Sequence, residues 1–178
     1  MRPQPRFPDL ALSARRRLLD GMSPSSGMLL FGASHAVRNG DAEYRFRQTS
    51  DVLYLTGWED PDVAVWLCPG SEEPFQLFVQ PRNPEVEVWS GARAGLEGAK
   101  DDFGADSAHP FSELEERLPK LLLGVDSLYY DVGANGKHDA LVNQAVRSAA
   151  RMARRTLEVT PDAFQYPGSL LHELRLRK

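Results

Sequence analysis

The stretch that decides the fold runs from Val63 to Gln80 and reads VAVWLCPGSEEPFQLFVQ. It contains two apolar runs of strand length, VAVWLC at 63–68 and FQLFVQ at 75–80. The segment between them, PGSEEP, is a proline and glycine loop of the kind that connects neighbouring strands. The stretch therefore predicts a β-hairpin, and with it a sheet that is at least partly antiparallel.

Strands and helices alternate on both sides of this hairpin. The apolar run 28–31 is long enough only for a strand, and SLYYDV at 127–132 predicts another. Ser112 and Glu115 have the spacing of a capping box before a leucine-rich helix, and a long helix is predicted over 137–155. Their apolar positions are Leu114, Leu118, Leu121 and Leu122 in the first, and Val142, Val146, Ala149 and Ala153 in the second. The alternation predicts an α/β fold with a mixed central β-sheet flanked by helices.

A helix is also predicted near the start of the chain, with Asp9 as its cap and Gly21 as a left-handed end. Leu12, Arg16 and Leu19 would share one side of it. The three consecutive arginines at 15–17 are then interpreted as a solvated face. A basic stripe on the long helix, formed by Arg147, Arg151, Arg154 and Arg155, is interpreted in the same way, with an interface as the alternative.

The composition is that of one globular domain. The chain has 178 residues, 42% of them hydrophobic and 26% charged, and a net charge of −4 that is mixed along the sequence. This gives no basic footprint for nucleic acid or for an anionic membrane, so neither partner is expected. The single cysteine, Cys68, lies in an apolar run and is expected to be buried. Without a disulfide framework or a signal-like N-terminus, a cytoplasmic location is expected.

By residue type alone the chain offers no credible active site. Its four histidines stand far apart, and His172 with Glu173 fails as a zinc motif because position 176 is Leu176. No Gly-x-Ser-x-Gly elbow occurs, and the glycines at 91, 95 and 98 lack the spacing of a dinucleotide loop. We therefore expect no catalytic residue, no metal ligand and no cofactor in this chain.

The C-terminal tail is interpreted as the start of a connection to a further domain. After a turn at Pro167 and Gly168 the sequence LLHELRLRK begins an amphipathic helix. Leu171 and Leu174 are expected to lack partners in this chain, and so is Leu170. We therefore predict a domain over 1–165, with 166–178 as the start of a linker helix to a further domain.

One segment carries a family resemblance. Residues 38–58 read RNGDAEYRFRQTSDVLYLTGW, and their order and spacing resemble the N-terminal domain of Xaa-Pro aminopeptidases (aminopeptidase P). The resemblance runs from about Leu18 onward through EDPDVAVWL, PRNPEVEVWSGARAGLEGA, FGAD and the final LLHELRLRK. The motif residues are Arg38, Asn39, Asp41, Tyr44, Phe46, Arg47, Gln48, Ser50, Asp51, Tyr54, Leu55, Thr56 and Gly57.

The resemblance implies a domain of the creatinase and aminopeptidase P N-terminal type, with a ribonuclease H-like fold. In that family such a domain precedes a larger pita-bread metallopeptidase domain, which removes an N-terminal residue preceding proline. Its two metal ions, typically manganese, are bound in that catalytic half. The implied partners are the chain's own catalytic domain and further copies, as a dimer or tetramer. The chain alone is expected to be inactive.

The motif also has a physical interpretation as a capped helical segment. Ser50 is a plausible N-cap, Asp51 suits the positive end of a helix, and Gly57 can close it. Tyr54 and Leu55 would then pack against the sheet.

The loop before this helix is expected to be held by ion pairs. Arg38 and Arg47 are predicted to pair with Asp41 or Asp51. A structural role is the favoured interpretation, and direct contact with substrate is the alternative. The structural motif comprises Arg38, Asp41, Tyr44, Arg47, Gln48, Ser50, Asp51, Tyr54 and Gly57.

The residues expected to act at a substrate entrance are Trp89 and Arg154. The resemblance implies that Trp89, in EVEVWSG, lines the entrance of a neighbouring catalytic site, where its rigid surface suits a proline-containing peptide. An ordinary half-buried tryptophan is the alternative. Arg154 is the second substrate-access candidate, on a looser match. At the level of the whole protein, the alternatives are a non-catalytic peptide- or protein-binding module and the equivalent domain of a prolidase.

Overall fold

The structure is a computed structural model that describes residues 2–39 and 42–176. Within those ranges the chain forms a six-stranded sheet, a two-stranded ribbon and helices on both sides. The strands are β1 (Ser26–Phe31), β2 (Val37–Asn39), β3 (Ala42–Glu43), β4 (Ala64–Leu67), β5 (Phe75–Val79), β6 (Ser107–Pro110), β7 (Ser127–Tyr129) and β8 (Ala163–Gln165). The helices are α1 (Pro8–Gly21), α2 (Ser50–Thr56), α3 (Pro84–Ser90), α4 (Gly95–Asp101), α5 (Leu114–Leu121), α6 (Gly136–Thr156) and α7 (Pro167–Leu176).

The central sheet is mixed, with the strand order β6-β5-β4-β1-β7-β8. Strand β4 pairs antiparallel with both β1 and β5, and the remaining neighbours pair in parallel. The hairpin predicted from 63–80 is thus the β4–β5 pair, in which Leu67 lies opposite Phe75. The predicted fold class, α/β with a mixed sheet flanked by helices, is confirmed.

Two apolar cores lie on opposite faces of this sheet. On β4, Val65 and Leu67 point into one core, while Ala64 and Trp66 point into the other. Helices α1, α2, α4 and α7 cover the first face, and α5 and α6 cover the second. Because both faces are covered, β4 and β5 are buried at every position and read as continuous apolar runs.

Helix α1 departs from the prediction in its caps and in its buried face. It begins at Pro8, so Asp9 lies in the first turn, and Gly21 is its last residue, followed by extended backbone. The buried residues are Ala11, Ala14, Arg15 and Leu18, whereas Leu12 and Arg16 are exposed. The alanines bring α1 close to α2, and the Arg15 guanidinium donates to the Leu55 carbonyl 2.9 Å away. The interpretation of all three arginines as solvated was therefore wrong for Arg15.

Two later elements also differ in detail. The capping box of Ser112 and Glu115 does not form, because a 3-10 turn at Phe111–Glu113 leads directly into α5. Strand β7 ends at Tyr129 rather than continuing to position 132. The long helix α6 matches its prediction closely and is capped by the Asn135 side chain, which accepts from the backbone N–H of Lys137 and His138.

Helix α7 is part of this domain's packing. Leu171 and Leu174 are buried in the first core, and Leu170 packs against it. The expectation that these leucines lack partners in this chain was wrong, because α1 supplies a surface for them. Across the described ranges, none of the helices has the length and apolarity needed to cross a bilayer.

Candidate functional site

The family motif and the helix that carries Trp89 leave the sheet at the same edge. Strands β1, β5, β6, β7 and β8 all run in one direction, so their carboxyl ends meet there. The chain continues from β1 into the motif, from β5 into α3, and from β7 into α6. In open α/β sheets this edge is where binding sites concentrate, so it is the candidate functional site.

Gln48 organises the motif at this edge. Its side chain is 6% exposed, and its Oε1 accepts from the backbone N–H of Ala33 at 2.7 Å and of Thr49 at 2.9 Å. Its Nε2 donates to the carbonyl of Asp60 at 2.8 Å. One buried amide therefore joins the chain leaving β1, the start of α2 and the approach to β4, which is a structural role within the motif.

The capped helical segment exists, with one change at its start. Helix α2 begins at Ser50 itself, and Thr49 occupies the N-cap position without a side-chain cap. Gly57 closes the helix as predicted, with a φ of 71° and its N–H bound to the Leu53 carbonyl. Leu55 is fully buried, and Tyr54 packs at the border of the core.

The ion pair of this helix has a different partner from the predicted ones. The Asp51 carboxylate accepts from Arg175 of α7 rather than from Arg38 or Arg47. Arg38, which is exposed on β2, lies 6.0 Å from the centre of the exposed Tyr44 ring. Asp41 lies outside the described residues. The sequence prediction missed Arg175 because that residue is separated from Asp51 by 124 positions.

Helix α3 is fixed at its start by short-range polar contacts. The Asn83 side chain accepts from the Glu85 N–H at 3.1 Å. The Arg82 guanidinium forms two hydrogen bonds with the Glu87 carboxylate, at 3.0 and 2.8 Å. Trp89 lies in the last turn of this helix, and its side chain is outside what the structure describes.

Arg154 lies far from this edge. Helix α6 starts at the carboxyl edge and runs back along the sheet for 21 residues, which is about 31 Å. Arg154 occupies its last turn and is exposed. Just beyond it, the Val159 carbonyl accepts from the Gly124 N–H, next to the start of β7. The structure therefore places the backbone positions of Trp89 and Arg154 on elements at opposite edges of the sheet and does not bring them together.

A cavity of about 250 Å³ opens between the carboxyl ends of β1 and β7. Phe31, Gly32 and Asp51 line it from one side, and Tyr130 and His138 from the other. The His138 ring stacks on Phe31 at 3.8 Å between centroids, with an angle of 11° between the planes. Sequence reasoning treated each histidine in isolation and so missed this contact between a strand and a distant helix.

Two side chains that line the cavity, His138 and Tyr130, have shifted pKa values. Burial lowers the pKa of His138, while the nearby Asp139 opposes that shift. Burial and the hydrogen bond from the Tyr130 hydroxyl to Asp139, 2.7 Å long, raise the pKa of Tyr130. The Tyr130 hydroxyl therefore stays protonated and serves as a hydrogen-bond donor to Asp139.

The metal ions implied by the resemblance have no place among the side chains described. In residues 2–39 and 42–176 no three His, Cys, Asp or Glu side chains lie close enough to hold a metal ion together.

The chain matches the family model for the aminopeptidase P N-terminal domain over residues 12–129. It belongs to that family, and the resemblance drawn from the motif is confirmed.

The relatives with the same kind of domain are longer proteins. A Xaa-Pro aminopeptidase of Escherichia coli is 32% identical over 166 residues, which is 92% of this chain and 37% of the relative. One from Haemophilus influenzae is 35% identical over 132 residues, which is 74% of this chain and 31% of the relative. The solved structure of Pseudomonas aeruginosa aminopeptidase PepP superimposes with a TM-score of 0.87 at 34% identity, covering 96% of this chain and 38% of that one. The chain thus spans less than two fifths of the relatives' lengths.

Proposed function

We propose that this chain is the N-terminal accessory domain of a manganese-dependent Xaa-Pro aminopeptidase, an enzyme that releases an N-terminal residue preceding proline. One observation carries the proposal: the similarity covers 92% of this chain but only 37% of the Escherichia coli enzyme. The chemistry, with two Mn²⁺ ions, belongs to the region of such enzymes that this chain does not span. The domain's own task is assembly and control of substrate access.

The geometry supports an access role for the carboxyl edge of the sheet. Gln48 joins three backbone segments there through hydrogen bonds, and α3 is held by the contacts of Asn83 and Arg82. A rigid edge can present Trp89 to a peptide at low entropic cost. In this proposal Trp89 contributes to the entrance of a catalytic site in a dimer or tetramer.

Arg154 has a separate role in the same proposal. In the proposal Arg154 remains a substrate-access candidate that reaches the site of a neighbouring copy. Because it lies at the opposite edge of the sheet, it makes that contact separately from Trp89 of its own chain. Its exposed position in the last turn of α6, beside Arg155, provides a basic surface for that contact. The assembled protein is proposed to be cytoplasmic.

The proposal is tested on the longer protein that contains this chain. Purified and loaded with Mn²⁺, it is expected to hydrolyse a Xaa-Pro-Xaa tripeptide, whereas the 178-residue chain alone is expected to be inactive. A Xaa-Pro dipeptide in the same assay separates the alternatives, because cleavage of the dipeptide alone indicates a prolidase. A well-folded, metal-loaded protein that cleaves neither substrate would contradict the proposal and favour a binding module.

A further inference from the structure

Helix α7 packs on α1 through apolar contacts and is joined to the family motif by a polar contact. Leu171 and Leu174 are buried in the core that also contains Leu18 of α1 and Leu55 of α2. These two leucines lie three positions apart and therefore share one side of α7. The helix packs against α1, and its apolar side faces the core to which α2 also contributes.

The polar contact lies at the last turn of α7. The Arg175 guanidinium pairs with the Asp51 carboxylate and lies 5.4 Å from the centre of the Tyr54 ring. Asp51 and Tyr54 are three residues apart on α2, so one side of that helix presents both groups to Arg175. Arg17 of α1 donates to the Tyr54 hydroxyl at 3.3 Å, which holds the ring from its other end.

This arrangement is more specific than an ordinary surface ion pair. The two side chains are 38% and 39% exposed, and an isolated pair of that kind contributes little. Here the carboxylate lies in the first turn of α2, where the helix dipole favours negative charge. An arginine can pair with the carboxylate and face the ring at once, and a lysine cannot reproduce that fork.

We propose that Asp51, Tyr54 and Arg175 set the position in which α7 leaves this domain, and that they thereby position the catalytic region that follows α7. The inference rests on the proposed function, which supplies that region. It assigns three motif and tail residues a positioning role: they touch no substrate, and they act by fixing the direction of the connecting helix. The motif then supplies the polar contact that orients α7 on α1.

The docking step is measured on this chain by hydrogen exchange of the amides in residues 167–176. Asp51→Asn and Arg175→Met are each expected to speed that exchange about two- to fivefold, as befits the loss of one partly exposed pair. The double variant is expected to exchange no faster than the single ones, because both remove the same contact. Asp51→Glu, which keeps a carboxylate, is expected to restore most of the protection.

A matched control removes an ion pair elsewhere. Glu113 pairs with Arg117 at 2.6 Å, with side chains 39% and 44% exposed, on the other face of the sheet. Glu113→Gln is expected to leave exchange in α7 unchanged. Unchanged exchange in both Asp51→Asn and Arg175→Met would overturn the proposal.

The positioning step is measured in the longer, Mn²⁺-loaded protein. Asp51→Asn is expected to lower kcat for a Xaa-Pro-Xaa peptide severalfold while the metal content stays unchanged. Asp51→Glu is expected to keep most of the original kcat, and Glu113→Gln is expected to leave kcat unchanged. Faster exchange in α7 with unaltered kcat would overturn the positioning role and leave only a structural contact. If the unaltered longer protein cleaves no Xaa-Pro substrate, the proposed function fails, while the exchange experiment still decides the α7 contact.

Discussion

Gln48 lies so close to the backbone of Gly32 that a β-carbon at position 32 would stand 2.8 Å from its Oε1 and 2.5 Å from Cγ1 of Val63. Gly32 also donates its N–H to the Val63 carbonyl at 2.7 Å. The end of β1, the motif and the approach to β4 therefore meet at a point that has room for no side chain. This close contact makes both Gly32 and Gln48 sensitive to substitution.

Gly32→Ala is expected to lower the free energy of unfolding by about 1–3 kcal/mol, because the added methyl forces Gln48 and Val63 apart. Gly136→Ala is the control, since a β-carbon there meets nothing within 4 Å. Urea denaturation of both variants gives the comparison. Equal stability of the two variants would show that the edge adapts more easily than its close contacts indicate.

Gln48→Ala is expected to lower the free energy of unfolding by about 1–3 kcal/mol, because the Ala33 N–H and the Asp60 carbonyl lose a buried partner. Gln144→Ala removes a glutamine that is exposed and has one hydrogen bond to Glu115, so it is expected to change stability by less than about 0.5 kcal/mol. Thermal unfolding measures both. A shift in Tm for Gln48→Ala no larger than for Gln144→Ala would contradict the assigned role.

The buried Arg15 is expected to contribute to the stability of the fold. Its guanidinium lies 3.9 Å from the Phe75 ring centre and donates to the Leu55 carbonyl, and burial lowers the pKa of Arg15 to about 10. Arg15→Ala is expected to lower the free energy of unfolding by about 2–4 kcal/mol through lost packing and an unsatisfied carbonyl. Arg16→Ala, at the exposed neighbouring position, is expected to stay within about 0.5 kcal/mol. If both variants lower the free energy of unfolding by similar amounts, the buried contacts of Arg15 do not contribute to stability.

The features that could be predicted from the sequence are those with local causes. The hairpin follows from two apolar runs and a turn, and α6 follows from one periodic face. Arg15 could not be predicted in this way, because charge alone assigns an arginine to solvent. Its burial depends on a carbonyl and an aromatic ring that lie far away in sequence.

In the candidate site too, features with local causes could be predicted and contacts between distant residues could not. The motif predicted Gly57 as the end of α2, since a left-handed cap is a local property. It did not predict the Asp51–Arg175 pair or the stacking of Phe31 on His138, because each joins two distant elements. The separation of Trp89 from Arg154 depends on the strand directions, which the sequence pattern leaves open.

Trp89→Ala in the longer, Mn²⁺-loaded protein is expected to raise KM or lower kcat for a Xaa-Pro-Xaa peptide without lowering Tm. The physical reason is the loss of a large rigid contact surface at the proposed entrance. Val88→Ala removes a side chain that is 76% exposed on the same helix and is the matched control. A fall in Tm with unchanged kinetics would instead mean that Trp89 serves packing.

The contribution of His138 to the stability of the chain is expected to fall as the pH drops from about 7.5 to about 5. Burial lowers the pKa of His138 below its ordinary 6.5, so below that pH the unfolded chain binds more protons than the folded one. The contribution of His138 to stability is therefore present above pH 6.5 and is lost as the pH falls through the folded-state pKa. Burial lowers the pKa of His109 as well, so its effect on stability has the same sign.

His138→Phe can keep the stacking on Phe31 and cannot protonate, so its Tm is expected to depend less steeply on pH than that of the unaltered chain. His172→Gln removes an exposed imidazole and is the control; an equal flattening in both variants would contradict the role of His138.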